Sequence, residues 1–332
     1  MKIAFLTEMG FIGKVPVDHK NMRTEFAWMN ALDADHIPLF QYNRVAEYDF
    51  IFIIWPKADV LLNAEGVKMS DIKKKLFSQL INTDIIGDLK QRNGKVFFVQ
   101  EGPTWFSNDY NIAEQIYHHN LLNESDAIFC HNEWDSKWYK GLAANTPVYV
   151  MPTLMCDELV KGIQPIKTDR VVIGGNFARW YGGFQSYQLA SLFTDNVWVP
   201  SMHNKQPGEE NLLNHFPYMV WDEWMKSLSS FKLGIHMMPT VAAGTFSLNC
   251  AYFGIPAIGN IKVDTQRICH PDLSVDVEDM ESALKIALKL RDDEEFYNHC
   301  STVAKANYET YYTKDVYVNK IKTILNEIGT RL

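Results

Sequence analysis

"RVVIGGNFARWYGGF", Arg170 to Phe184, decides the fold. Val171 to Ile173 make a short apolar run, a Gly-Gly pair follows at once, and "SYQLASLF" (Ser186 to Phe193) then takes up a helical pattern. Strand, Gly-rich loop, helix is the opening unit of a doubly wound parallel sheet, and here it stands in the middle of the chain. The same unit opens the chain: "KIAFLT" (Lys2 to Thr7), the loop "EMGFIGKVPVDHKN", and the helical "MRTEFAWMNALDA". Between the two openings lie further apolar runs, "YDFIFIIWP", "GKVFFVQEGP", "DAIFCHNE" and "PVYVMPT", with helical candidates at Lys68 to Leu80 and Asn111 to Leu122. After the second opening come "NVWVPS", "FKLGIHMMP" and "IPAIGN", then the helices "DMESALKIALKL" and "DEEFYNHCSTVAKANYETYY". These runs are continuous rather than alternating, as parallel strands covered on both faces require.

The reading is therefore α/β, with two Rossmann-like domains. Residues 1–160 form the first and 169–312 the second, hinged near the polar linker Lys161 to Thr168, and residues 313–332 form a helix crossing back to the first. A chain of 332 residues suits two domains, and 47% apolar with 22% charged residues is globular composition. The net charge of −8 argues against a general polyanion binder, although an acidic average hides a local basic groove. Five scattered cysteines without a C-x-x-C read as free thiols of a reducing compartment. The first apolar run stops at Thr7 and Glu8, too short for a signal h-region, and "FIFIIWP" is a strand's length, so a cytoplasmic protein without a membrane span is expected.

In open parallel sheets ligands bind beyond the carboxyl ends of the strands, at helix N-termini. Gly10 to Gly13 lacks the G-x-G-x-x-G spacing of a dinucleotide fingerprint, which weakens a dehydrogenase reading. "PTVAAGTFSLNCAYFGIPAIG" (Pro239 to Gly259) is more informative. With a helix starting at Gly244 and Thr245, residues Thr245, Asn249 and Tyr252 share one face, and small residues leave the first turn open to a phosphate. Asn249, one turn deeper, is placed for a ribose hydroxyl. The plain alternative is a small-residue turn chosen for tight packing, with Asn249 satisfied by backbone.

The arrangement resembles the donor-binding half of GT-B glycosyltransferases, which hold a nucleotide sugar in the C-terminal of two Rossmann-like domains placed face to face. Aligned on Gly254 and Pro256, Asn249 takes the place of the second acid of the retaining E-x7-E pattern and Val241 that of the first, so both acids are missing. The resemblance implies that Gly174 and Gly175 bring backbone close to a diphosphate and that Arg179 neutralises it; a flexible loop with a solvated Arg is the plain alternative. His236, at the end of "LGIHMMP", faces the donor or is a packed histidine, and Asp264 and Gln266 in the loop "DTQRICHP" line the sugar pocket. Metal-independent transfer is what the resemblance implies, with the nucleotide sugar, a UDP-sugar by preference, as co-substrate and no further cofactor.

The first half must then supply acceptor contacts and any base. Asp18 and His19 precede the first helix, Glu101 ends one strand, and His131 another; each also has an ordinary reading as helix charge, turn acid or packed residue. Trp28, Trp55, Trp105, Trp134 and Trp180 are stacking candidates, Trp105 for the acceptor. "WYGG", "AAGTFSLNCAYFGIP" and "DTQRICHP" are similar to glycosyltransferases encoded by tailed bacteriophages, some of which decorate hydroxymethylated DNA bases. DNA is accordingly the leading acceptor, with Lys68, Lys73, Lys74 and Lys75 as a phosphate-contacting patch or a solvated helix face. A glycan or lipid-linked acceptor comes next, then a nucleotide-sugar epimerase or a non-catalytic nucleotide-binding protein of the same fold.

Overall fold

The computed structural model describes residues 1–7, 11–45, 47–55, 84–91, 94–100, 102–166, 168–200 and 205–330. Glu101, the helical candidate Lys68 to Leu80 and its four lysines lie outside these residues. The chain divides into two compact units, Met1–His19 with Glu25–Met151, and Lys20–Thr24 with Pro152–Leu332.

The first unit runs β1 (Ile3–Thr7), β2 (Gly13–Lys14), α1 (Glu25–Ala31), β3 (Asp35–Pro38), β4 (Phe50–Ile54), α2 (Ile85–Lys90), β5 (Lys95–Val99), α3 (Ile112–Glu124), β6 (Ala127–Cys130), α4 (Glu133–Leu142) and β7 (Val148–Val150). Its strands make one seven-stranded sheet in the order β2-β3-β1-β4-β5-β6-β7. Every pairing is parallel except that of the short edge strand β2 with β3. All five residues of β4 are buried, which is why its sequence shows no alternation. Phe5, Phe52, Phe97 and Phe129, one from each of four neighbouring strands, pack into a ladder, the first pair stacked at 4.7 Å and the next two edge-to-face at 5.0 and 5.4 Å. Such pairs add about 0.5–1.5 kcal/mol each beyond the area they bury. Asn111 opens α3 with a capping box, its side chain taking the Glu114 N–H while Glu114 reaches back to the Asn111 N–H.

The second unit runs β8 (Val171–Ile173), α5 (Gly183–Ala190), β9 (Val197–Val199), β10 (Asn214–His215), α6 (Trp221–Leu228), β11 (Leu233–His236), α7 (Thr245–Tyr252), β12 (Ala257–Asn260), α8 (Asp264–Cys269), β13 (Ser274–Val275), α9 (Met280–Asp292), α10 (Glu294–Tyr311) and α11 (Lys314–Gly329). All its strand pairings are parallel, in the order β10-β9-β8-β11-β12-β13. Counted within the unit this is 3-2-1-4-5-6, the order of a dinucleotide-fold sheet. Asp279 and Asp293 cap α9 and α10 with their carboxylates.

A piece of the N-terminal sequence belongs to this second unit. Arg23 bridges Met155, the Thr24 N–H donates to the Leu154 carbonyl at 2.9 Å, and the Trp221 N–H donates to Asn21 Oδ1 at 3.0 Å. Among the described residues no helix is long and apolar enough to cross a membrane, and all five cysteines are free and buried.

Candidate functional site

In a 3-2-1-4-5-6 sheet the chain leaves strand 1 toward one edge and later returns to build toward the other, so the loops after strands 1 and 4 diverge and open a crevice between them. In the second unit those strands are β8 and β11, and the crevice floor is Gly174 beside His236. The Gly174 N–H extends the ladder to the Ile235 carbonyl at 2.8 Å, and a Cβ on Gly174 would fall onto the His236 imidazole. Glycine is therefore required here for space. The His236 ring packs edge-to-face on Phe246 at 5.1 Å, and its Nε2 is buried without a hydrogen-bond partner. Burial pushes its pKa down to about 4, so the ring is neutral at pH 7. A buried polar atom left unmade costs about 1–3 kcal/mol, a cost that a ligand at this crevice would remove.

The loop after β11 ends at Gly244, whose φ of 74° starts α7. Its carbonyl accepts the Thr265 hydroxyl at 2.8 Å, and the Ala243 carbonyl accepts the Thr153 hydroxyl. A Cβ on Gly244 would strike Thr265 Oγ1 and Val263. No side chain caps this helix, so the N–H groups of its first turn, at Thr245, Phe246 and Ser247, face outward with the helix dipole behind them. Asn249 lies one turn in, 2% exposed, between the indoles of Trp221 and Trp224. Oriented by its hydrogen bonds, its amide donates to the Thr245 carbonyl at 3.3 Å and accepts the Trp224 Nε1–H at 3.2 Å. Both its functions are thus engaged locally, within the helix and its tryptophan neighbour.

The loop after β8 is fixed at several points. Asn176 is fully buried and its Oδ1 takes the Ala178 N–H at 3.0 Å. Ser186 Oγ donates to the Gly182 carbonyl at 2.8 Å and accepts the Met237 N–H at 2.9 Å, tying this loop to the one after β11. Gly175 has no room for a Cβ against Tyr181. Arg179 stands exposed on the same loop. Trp180, its neighbour, is 36% exposed.

Beyond β12 the sequence read as a polar loop is the helix α8. Asp264 opens it, favoured by the dipole, and pairs one turn on with Arg267 at 2.9 Å. Gln266 is 1% exposed; it accepts from Ser247 Oγ at 2.8 Å and donates to the Ala257 carbonyl at 2.7 Å, joining α7, α8 and β12. His270 adds a contact to the Ser247 carbonyl at 3.0 Å, and burial lowers its pKa to about 4.

In the first unit Asp18 is exposed and His19 half-buried, on a turn closed by the His19 N–H to the Pro16 carbonyl at 3.0 Å. The His19 ring lies 4.4 Å from that of Phe26 on α1. His131, at the end of β6, stacks at 5.8 Å on Trp28 of the same helix and donates its backbone N–H to Gln100 Oε1 at 3.0 Å. Its Nδ1 is buried without a hydrogen bond, and burial lowers its pKa to about 4. Trp105 is 37% exposed, edge-on to Phe106 at 4.9 Å. Trp28 and Trp55 are core residues, 1% and 3% exposed, so of the stacking candidates Trp105, Trp134 and Trp180 reach the surface. A cavity at the carboxyl ends of β4 and β5 is lined by Trp55, Gln100, Thr104, Phe106, Tyr110 and His118.

Sequence reasoning missed His36 and Glu209. His36 is 1% exposed and joins Thr7 Oγ1 (2.6 Å) to the Phe11 carbonyl, steadying the loop after β1. Glu209 is 2% exposed and takes the Phe177 N–H at 2.9 Å from a distant segment. Neither sits in a motif; a lone acid after a Pro-Gly turn carries no signal of burial. Among the described residues no group of three or more His, Cys, Asp or Glu side chains is placed to hold a metal.

No family profile and no curated sequence matches the chain. Solved structures do. An alpha-glucosyltransferase in complex with UDP and a 13-mer DNA containing an HMU base is similar over 98% of this chain and 99% of that one, at 13% identity and a TM-score of 0.63. Sucrose-phosphate synthase from Thermosynechococcus elongatus matches over 100% of both chains at 9% identity and a TM-score of 0.63. HepE of Anabaena in complex with UDP-glucose matches over 98% of this chain and 100% of that one, at 11% identity and a TM-score of 0.63. At these identities the likeness is one of fold, that of the GT-B glycosyltransferases with two Rossmann-like domains.

Proposed function

We propose that this chain is a glycosyltransferase that moves a sugar from a UDP-sugar to the hydroxyl of a hydroxymethylated base in DNA, without a metal. The observation that carries the reading is the β8–β11 switch point, where the unpartnered Nε2 of His236 and the uncapped first turn of α7 stand at one sheet edge. Backbone N–H groups at a helix start suit a diphosphate, and the exposed guanidinium of Arg179 adds a cation. Gly174, Gly175, Gly244 and Thr245 bring backbone to the phosphates in this reading. Asn249, Asp264 and Gln266 act by holding α7 and α8 in place, with any ribose contact of Asn249 made by what its amide has left.

The second unit is the donor domain and the first the acceptor domain, with His131 and Trp105 on the acceptor side. In the transfer, the acceptor oxygen forms a bond to the anomeric carbon, the bond from that carbon to the β-phosphate oxygen breaks, and UDP leaves with both electrons of that bond. The acceptor proton passes to a base, for which Asp18, His19 and Glu101 are the proposed groups, or to the departing phosphate. The DNA acceptor is supported by the likeness to an enzyme solved with UDP and DNA containing an HMU base. Equal likeness to sucrose-phosphate synthase supports a glycan or small-sugar acceptor as the second reading.

Incubating the protein with UDP-glucose and duplex DNA containing 5-hydroxymethyl pyrimidines, followed by mass spectrometry of the nucleosides, tests the acceptor. A nucleoside heavier by one hexose is expected. Unmodified nucleosides with every UDP-sugar tried would move the acceptor to a glycan or lipid-linked hydroxyl.

A further inference from the structure

We infer that Glu209 is a positioning residue for the Gly-rich loop Gly174–Gly183, setting the backbone that meets the donor's diphosphate. Its Oε1 accepts two backbone N–H groups, Phe177 and Gln206, each at 2.9 Å, and its Oε2 stands 3.5 Å from His215 Nε2. A carboxylate that is 2% exposed is costly to bury, and it persists where backbone N–H donors take up its charge. The contact spans 32 residues of sequence and draws the loop after β8 onto the segment that precedes β10.

The bond falls at a decisive point of the loop. Gly174 is fixed by the ladder to β11, Asn176 closes a local turn on Ala178, and Gly183 has no room for a Cβ against the Asn176 carbonyl. Between these fixed points Glu209 sets the direction of the Phe177 peptide, and with it the path of the two residues that join it to Gly174 beside His236. A carboxylate near an anion site would repel the ligand if its charge were free. Here Oε1 is spent on two N–H groups, while Oε2 lies buried 3.5 Å from His215 Nε2 without a hydrogen bond.

The loop contact stands by itself; the ligand it serves rests on the UDP-sugar reading above. Two measurements separate them: hydrogen exchange of the amides of residues 174–183 without nucleotide, and the dissociation constant for UDP by calorimetry. Glu209→Ala is expected to speed exchange at residues 176–178 and to weaken UDP binding tenfold or more. Glu209→Gln, which keeps an acceptor oxygen for Phe177, is expected to restore most of both. If Glu209→Ala does not fold, Glu209→Asp, too short to reach Phe177, takes its place with the same expectation. Unchanged exchange and unchanged UDP affinity in folded variants would overturn the inference. A wild-type protein that binds no UDP would instead overturn the function reading, and the exchange result alone would then judge the loop contact.

Discussion

Between pH 6.5 and pH 4 this protein is expected to lose stability steeply. His118 and His131 in the first unit and His270 in the second are buried, His236 is half-buried with its Nε2 fully covered, and desolvation pushes each pKa down to about 4. An unfolded histidine titrates near 6.5. In that window the unfolded chain therefore binds more protons than the folded one, and stability falls as pH falls. Each such imidazole contributes up to about 1.4 kcal/mol per pH unit, so the four together approach roughly 5 kcal/mol per unit. With two of them in each unit, each unit loses up to about 2.7 kcal/mol per pH unit, a large share of a usual total of about 5–15 kcal/mol by pH 4. Far-UV circular dichroism and tryptophan emission across a pH series check this. His131→Phe removes one titrating group whose Nδ1 has no partner to lose, and should move the transition to lower pH. A fold unchanged down to pH 4 would mean that these imidazoles are solvated or paired.

The second large effect concerns the acceptor proton. A positioned base contributes typically about 10² to 10⁴ in rate, so replacing it should lower turnover by that factor while donor affinity stays nearly constant. Asp18→Asn and His19→Ala are the variants expected to show it, with Glu101→Gln as the alternative. Asp18 is exposed, free to approach a substrate, while the His19 ring packs on Phe26, so Asp18→Asn is expected to have the larger effect. Turnover and UDP affinity measured side by side separate the cases. If all three variants keep full turnover, the proton leaves by the donor phosphate, the route of retaining transfer.

Much of the fold was legible because parallel strands buried on both faces write themselves as unbroken apolar runs. "FIFII" and "RVVI" needed no alignment, and the helical candidates that begin at Asn111, Asp279 and Asp293 are helices that those residues cap. The edge strand β2 was not legible, since two residues, Gly13 and Lys14, form it only by pairing with β3. Nor was the placing of Lys20–Thr24 in the second unit, which depends on contacts with residues such as Met155 and Trp221 that are remote in sequence.

At the candidate site the sequence shows where the backbone needs space better than it shows what the side chains touch. Gly174, Gly244 and the start of α7 were marked by small residues whose space the structure accounts for. The polar groups were harder, because a buried amide and a ligand-binding amide look alike in a sequence. Asn249 turns to Trp224 and Gln266 to Ser247 and Ala257, partnerships made by packing three helices and a strand together. His236 is the contrary case, a histidine on an apolar strand that keeps an unpartnered nitrogen beside Gly174.

The central claim is that the β8–β11 switch point binds a nucleoside diphosphate sugar. Thermal unfolding with UDP, UDP-glucose and the GDP-, ADP- and CMP-sugars tests it most directly, because a ligand at 100 times its dissociation constant stabilises by about 2.7 kcal/mol. The account predicts a rise in midpoint of roughly 5–10 °C with UDP or UDP-glucose, reduced by His236→Phe. No rise with any of these nucleotides would contradict it.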